Sequence, residues 1–484
     1  MTWKETAAPV LTRMPTVARP EGHVPFRRKL GWTAGVLVLY FFLTNVFLYG
    51  ADPGTDVFGQ FRSILAGQQG SVLHLGIGPI VTASIVLQLL GGADLLGLDT
   101  SNPRDQALYQ GLQKLLVVVM ICLTGLPMVF VGGLLPANEA VAQQLGVGLL
   151  GVKWIIFAQL FVGGILVLFM DEVISKWGVG SGIGLFIVAG VSQQLIGGFI
   201  QWGGLSDGGQ LGFFVAWAQI LTGQLSIGPP LSASGLQAIF LGQGQILALL
   251  TTLLIFGVVV YAESVRVEIP LSHAKVKGAR GRFPVKLIYA SVLPMILVRA
   301  LQANIQFFGR ILNSQLGGGM PAWLGVYNRG QPTSGLFYYL APINSTNWLS
   351  ELSTQPFDVT IRIAIDLTFM VIGGAIFAMF WVETTGMGPK ETAKQIQDSG
   401  MQIPGFRRNP GVMEKVLERY IPQVTVIGGA LVGLLAVGAN MLGTIGQVSG
   451  TGLLLTVSIT YKLYEEIAEE QLMEMHPIMR DMFG

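Results

Sequence analysis

The chain has 484 residues, of which 51% are hydrophobic and 12% charged, with a net charge of +2; its mean hydropathy is +0.60. Ordinary soluble domains carry about 25% charge, so the composition excludes a single soluble core, and the near-neutral balance excludes a polycation. Its single cysteine, Cys122, rules out an internal disulfide.

The class that follows is a polytopic all-α membrane protein, and 65 glycines suit helices that approach closely in lipid. The first 29 residues are polar and basic, and the apolar run after them is long enough to span and stay rather than be cleaved. Runs of roughly 20 apolar residues predict ten spans, at 30–50, 72–92, 110–134, 147–170, 181–202, 241–262, 287–309, 360–382, 421–442 and 449–467. Before the second span lies "DVFGQFRSILAG", too short to cross, followed by "GQQG" and "GIGP". A chain that enters and turns back is the reading of this stretch. The segment 211–222, "LGFFVAWAQILT", is also too short and is placed at the interface or folded back.

Lysine and arginine orient the spans. Six fall in the N-terminal 29 residues, six in the loop after span 6 (Arg266, Lys275, Lys277, Arg280, Arg282, Lys286) and six in the loop after span 8 (Lys390, Lys394, Arg407, Arg408, Lys415, Arg419). Loops 135–146, 203–240 and 443–448 hold none. Both termini are therefore expected in the cytosol. The organisation expected is a cytosolic segment 1–29, a first half 30–202, an outer loop 203–240, a second half 241–470 and a tail 471–484. The second half carries cytosolic loops 263–286 and 383–420 and an outer loop 310–359. Asn344-Ser345-Thr346 in that outer loop is a glycosylation sequon.

Charges inside the spans are few. Arg299 in span 7 and Asp366 in span 8 lie at similar depth, which permits a structural ion pair, and Lys153 lies near the outer end of span 4. The histidines (His23, His74, His273, His476) fall at or beyond span ends, unsuited to ligating haem across a bilayer. There is no zinc motif, no Walker lysine and no convincing nucleophile elbow. The run "GVGSGIGLF" lacks a lysine and leads into a membrane helix, so close helix packing explains it better than phosphate binding. No catalytic residue, metal site or cofactor is expected.

Several stretches, in order along nearly the whole chain, resemble the SecY family in its archaeal form: "LGIGPIVTASIVLQLL", "ALYQGLQKLL", "DEVISKWGVGSGIGLFIVAGVSQ", "IPLSHAKVKGARGRFPVKLIY", "LQANIQ", "FWVETTGMGPKETAKQI", "RYIPQVTVIGGALVGLLAVGAN" and "GTGLLLTVSITYKLYEE". The resemblance implies ten helices in two inverted five-helix halves around a pore for unfolded polypeptide, which can part sideways towards lipid. It implies a re-entrant plug at about 56–66, with Asp56, Val57, Phe58, Gly59, Phe61, Ile64 and Leu65. It places an aliphatic pore ring at Ile77, Val81, Ile183, Ile187, Ile296 and Leu455. The lateral gate, between spans 2–3 and 7–8, falls on Thr82, Thr124 and Asn304; Thr124 stands where relatives often keep Glu or Gln. Ribosome docking through rRNA phosphates is implied for Arg266 and Arg407, and extends to Lys275, Lys277, Arg280 and Arg408. Further implied partners are SecE-like and SecG- or beta-like small membrane subunits, signal peptides, nascent chains and the lipid bilayer, at the cytoplasmic membrane. The rival reading is a secondary transporter with inverted repeats, which would need coupling charges at mid-depth; a scaffold subunit is a second rival.

Overall fold

A computed structural model describes residues 8–22, 24–52, 54, 58–92, 96–97, 102–131, 134–202, 211–225, 228–229, 232–240, 242, 244–273, 280–286, 293–317, 319–328, 331–343, 348–398, 401–402, 410–446 and 448–475. Each predicted span falls on a helix. These are α1 (Phe26–Thr44), α2 (Gly78–Gly92), α3 (Pro103–Phe130), α4 (Gly148–Trp177), α5 (Gly182–Ile200), α6 (Ile246–Ser264), α7 (Leu293–Gln315), α8 (Pro356–Thr384), α9 (Pro410–Leu442) and α10 (Gly450–Met475). Among the described residues, six combine the length and apolarity needed to cross a membrane: α3, α4, α5, α6, α8 and α9. The others differ for visible reasons. Helix α2 has only 15 residues. Helix α1 opens on Arg27, Arg28 and Lys29, α7 carries Arg299 and Arg310, and α10 gathers Lys462, Glu465 and Glu466.

Local chemistry sets the ends. Pro103 sits in the first turn of α3, where a missing N–H costs nothing, and Asn102 caps it by accepting from Arg104 N–H at 3.1 Å. Helix α8 likewise starts on a proline, Pro356. The segment 211–222 does form a short helix, Phe213–Leu221, folded against the end of α5 through Phe199.

The basic loop after α6 is a hairpin of β1 (Arg266–His273) and β2 (Arg280–Lys286), with Arg266 opposite Lys286. A short pair, β3 (Val326–Asn328) and β4 (Gln331–Ser334), lies between α7 and α8. Strand β5 (Met401–Gln402), from the loop after α8, joins β1 at Ser272 and His273. The two basic loops thus share one sheet, in the order β2-β1-β5.

A single apolar cluster runs through both halves of the helical array. Helices α8 and α9 meet backbone to backbone: a Cβ on Gly374 of α8 would sit 2.5 Å from Gly429 O of α9, the reverse holds equally, and a Cβ on Gly433 would sit 2.4 Å from Met370 O. Small residues at such a crossing let dispersion contacts replace side-chain bulk.

Candidate functional site: a buried excursion, an aliphatic ring and a seam

After α1 the chain makes a closed excursion, tied at its mouth by a bridge between Phe47 and Ser71. Inside it Gly59–Phe61 form a 3-10 turn and Arg62–Leu65 one helical turn, ended by Ala66 in the left-handed region at φ 51°. A helix so short does not stand alone in water; its neighbours hold it. Tyr40 Oη donates to Ala66 O at 2.8 Å and Ile77 N–H donates to Leu65 O at 2.8 Å. The hydroxyls of Ser63 and Ser449 lie 2.8 Å apart, and the Phe58 ring stacks on Phe307 with centroids 5.5 Å apart. Arg62 Nη1 donates to His74 O at 2.9 Å, which gives its buried guanidinium a carbonyl partner. Gly76, at φ +53°, lets the chain pass Leu65 O where a Cβ would overlap it. This break explains why α2 begins at 78 rather than 72. Phe58, Phe61, Ile64 and Leu65 are all buried. Asp56 and Val57 lie outside the described residues.

The six aliphatic positions come from four places: Ile77 and Val81 around the start of α2, Ile183 and Ile187 on α5, Ile296 on α7, Leu455 on α10. Five are buried to 2% exposure or less, and Ile183 is half-buried. All six belong to, or pack against, the cluster that also contains Phe58, Phe61, Ile64 and Leu65. Helices of both halves therefore close on the excursion with side chains that offer water no hydrogen bond.

Asn304 Nδ2 on α7 donates to Thr82 Oγ1 on α2 at 2.9 Å, while Thr82 Oγ1 donates within its own helix to Gly78 O. Thr124 is half-buried on α3 and outside this bond. An interhelical hydrogen bond in a membrane contributes about 0.6 kcal/mol on average, so this bond adds little to the apolar packing of the α2–α7 seam. The opposite side of α7 differs. Arg299 Nη1 lies 3.4 Å from Asp366 Oδ1 on α8, with both side chains at 1% exposure or less. Gln302 joins them, accepting from Arg299 Nη1 at 2.6 Å and donating to Asp366 Oδ1 at 3.0 Å. The similar depth read from sequence does produce the pair.

The segment 336–343 between α7 and α8 is tied to both. Gln302 Nε2 donates to Leu340 O and Gln306 Nε2 to Phe337 O, each at 2.9 Å. Arg362 of α8 donates to Ala341 O at 3.3 Å and Pro342 O at 3.2 Å, and lies over the Tyr338 ring. Tyr339 Oη donates to Asp358 Oδ1 at 2.9 Å, and this bond to a carboxylate raises its phenol above the ordinary value.

Of the basic positions, Arg266 is exposed at the start of β1 and Arg280 opens β2 opposite Ser272. Lys286 is committed elsewhere: it pairs with Glu465 of α10 and lies 5.8 Å from the Tyr461 ring centroid. Lys275, Lys277, Arg407, Arg408 and the sequon residue Asn344 lie outside the described residues.

Comparison with known families decides what this arrangement belongs to. The SecY family model matches residues 71–464, and the plug domain of Sec61p matches residues 38–70, which include the buried excursion. The chain belongs to the SecY family. It is 76% identical to the protein translocase subunit SecY of Haloferax volcanii over 100% of both chains. Identity to the corresponding subunit of Archaeoglobus fulgidus is 49%, over 98% of each chain. Among solved structures, one described as that of a protein conducting channel superposes with a TM-score of 0.79 at 37% identity, covering 97% of this chain and 98% of the other. Sec61 in a canine ribosome-channel complex gives 0.76 at 36% identity with the same coverage. As a SecY-family member with this helical array, the chain is a multi-pass membrane protein with the family's channel fold.

Sequence reasoning did not single out Tyr40, Ser449, Phe307 or Gln302. A signal existed for two: Ser449 is a polar residue at the mouth of an apolar run, and Gln302 and Gln306 continue the helical stripe begun by Arg299.

Proposed function

We propose that this chain is the channel subunit of a protein translocase, a passive pore that passes unfolded polypeptide and releases apolar helices sideways into lipid. The observation that carries it is that the six aliphatic positions, drawn from both halves, share one apolar cluster with the buried residues of the 58–66 excursion; we read them as the pore ring. A narrow ring of this kind dewets when closed and blocks ions, and flexible aliphatics yield around many side chains without binding any. The excursion is the plug; irregular backbone at membrane depth is tolerated when protein buries it. The Thr82–Asn304 seam is the lateral gate. An apolar signal helix entering there gains roughly 0.3 to 0.6 kcal/mol for each central Leu, Ile, Phe or Val, and this differential binding favours the open state.

The channel catalyses no reaction, so the driving force comes from a partner. The translating ribosome is that partner in our reading, through Arg266, Arg280, Lys275, Lys277, Arg407 and Arg408, since clustered basic side chains attract RNA phosphates. The shared sheet sets β1 and β5, one strand from each basic loop, side by side. Small SecE-like and SecG- or beta-like subunits would flank the bundle, in the cytoplasmic membrane, with both termini in the cytosol. The transporter reading is disfavoured by Arg299 and Asp366, which neutralise each other away from water.

Photocrosslinkers placed along a ribosome-stalled nascent chain test the pore directly. Adducts are expected at the six ring positions, and adducts that consistently miss them sink the proposal. Reversing the charge of Arg407 and Arg408 is expected to weaken ribosome binding and flatten its salt dependence, each lost phosphate contact lowering the log–log slope by roughly 0.7 to 0.9.

A further inference from the structure

Helix α7 presents three chemically distinct faces at 100° per residue. Ile296, Ala300, Ala303 and Phe307 form the stripe towards ring and plug. Asn304 lies about 80° round from that stripe's origin, towards α2. Arg299, Gln302 and Gln306 form a third stripe, towards α8 and the 336–343 segment. This third stripe carries a charge pair sealed from water at 1% and 0% exposure. The pair is incompletely satisfied: among the described residues, Arg299 Nε and Nη2 and Asp366 Oδ2 have no hydrogen-bond partner. Such a pair is not a strong stabiliser, since apolar residues of equal volume often serve as well or better. Losing one partner alone is another matter, because it strands a charge in a lipid-embedded core. The pair therefore selects which neighbour α7 stays with rather than adding to overall stability.

We infer that Arg299, Gln302 and Asp366 key α7 to α8, so that the gate helix leaves α2 together with α8 and the 336–343 segment as one body. This rests on the reading of the α2–α7 seam as the gate. Parting α7 from α2 breaks the neutral hydrogen bond from Asn304 to Thr82. Parting α7 from α8 separates opposite charges and frees the Gln302 bridge. Opening is thereby confined to the α2 seam and spares the α8 seam. Arg299 and Asp366 are positioning residues in this scheme; neither touches the passing chain.

The test uses the full chain, reconstituted in bilayers with its small membrane subunits, with Cys122→Ser and spin labels on cysteines replacing exposed residues. Leu123→Cys on α3 with Leu312→Cys on α7 reports the gate; Leu312→Cys with Phe357→Cys on α8 reports the keyed seam. On engaging a ribosome-stalled nascent chain with an apolar signal, the first distance should lengthen by about 10 Å, a helix diameter. The second should not move. In the doubly apolar variant, Arg299→Met with Asp366→Leu, thermal stability should hold while the second distance broadens on engagement. The exchanged variant, Arg299→Asp with Asp366→Arg, should narrow it again. Lengthening of both distances in the parent, or a second distance still narrow in the apolar variant, overturns the inference. A first distance that never lengthens overturns the gate reading itself, and the inference with it.

Discussion

The excursion 58–66 and the segment 336–343 are both short, irregular and folded onto the same bundle, yet they are fastened differently. Contacts of the first reach α1 through Tyr40, α7 through Phe307, and Ser449 at the start of α10. They straddle both halves. The second is bound by Gln302 and Gln306 of α7 and by Arg362 of α8, all within one half. A part tied to both halves loses its ties together when the halves separate, whereas a part tied to one half travels with it. Displaceability is therefore a matter of where anchors lead, more than how many there are.

Four interventions would break or sharpen this contrast. Deleting residues 58–66 has the largest expected effect: planar bilayers holding the variant should leak ions where the parent is tight, while a seal as good as the parent's would remove the excursion from any role in closure. Next comes Gln302→Leu, which strips the bridge from Arg299, Asp366 and Leu340 O. Unsatisfied buried groups of this kind cost about 1 to 3 kcal/mol, read as a fall in unfolding free energy in mixed micelles with no change in resting conductance. Ser63→Ala removes a neutral bond between halves, about 0.6 kcal/mol, and should raise the resting open fraction roughly threefold. Smallest is the Tyr339–Asp358 contact. The phenol's raised folded value means its contribution is full below the unfolded tyrosine pKa and is lost as pH rises through the folded value. A tyrosinate absorbance titration of the parent should therefore contain one more late-titrating group than that of Tyr339→Phe, with bilayer conductance the same in both.

The helices were legible because apolar runs of bilayer length leave few alternatives. Their ends were less so. Helix α9 begins at Pro410 and α10 runs to Met475, beyond their apolar windows, since helix can continue into polar sequence where hydropathy falls away. The hairpin of β1 and β2 was hidden in a basic loop whose charges announce orientation and say nothing of pairing. Most positions assigned to ring and plug are isoleucines, leucines, valines and phenylalanines that periodicity cannot tell from ordinary core, and only the motifs around them marked them out. The Arg299–Asp366 pair was foreseeable from depth, but the Gln302 bridge depended on side-chain reach across two helices, which spacing alone does not give.

The contact of Gly374 with Gly429 has a consequence for how the second half can deform. Only hydrogen fits between the two backbones. The close approach continues one turn further, where a Cβ on Gly433 of α9 would sit 2.4 Å from Met370 O. The two rods are therefore fitted to each other along a whole turn, which resists pivoting as well as separation. Even a single methyl there, as in Gly429→Ala, should loosen the fit by prising the rods apart.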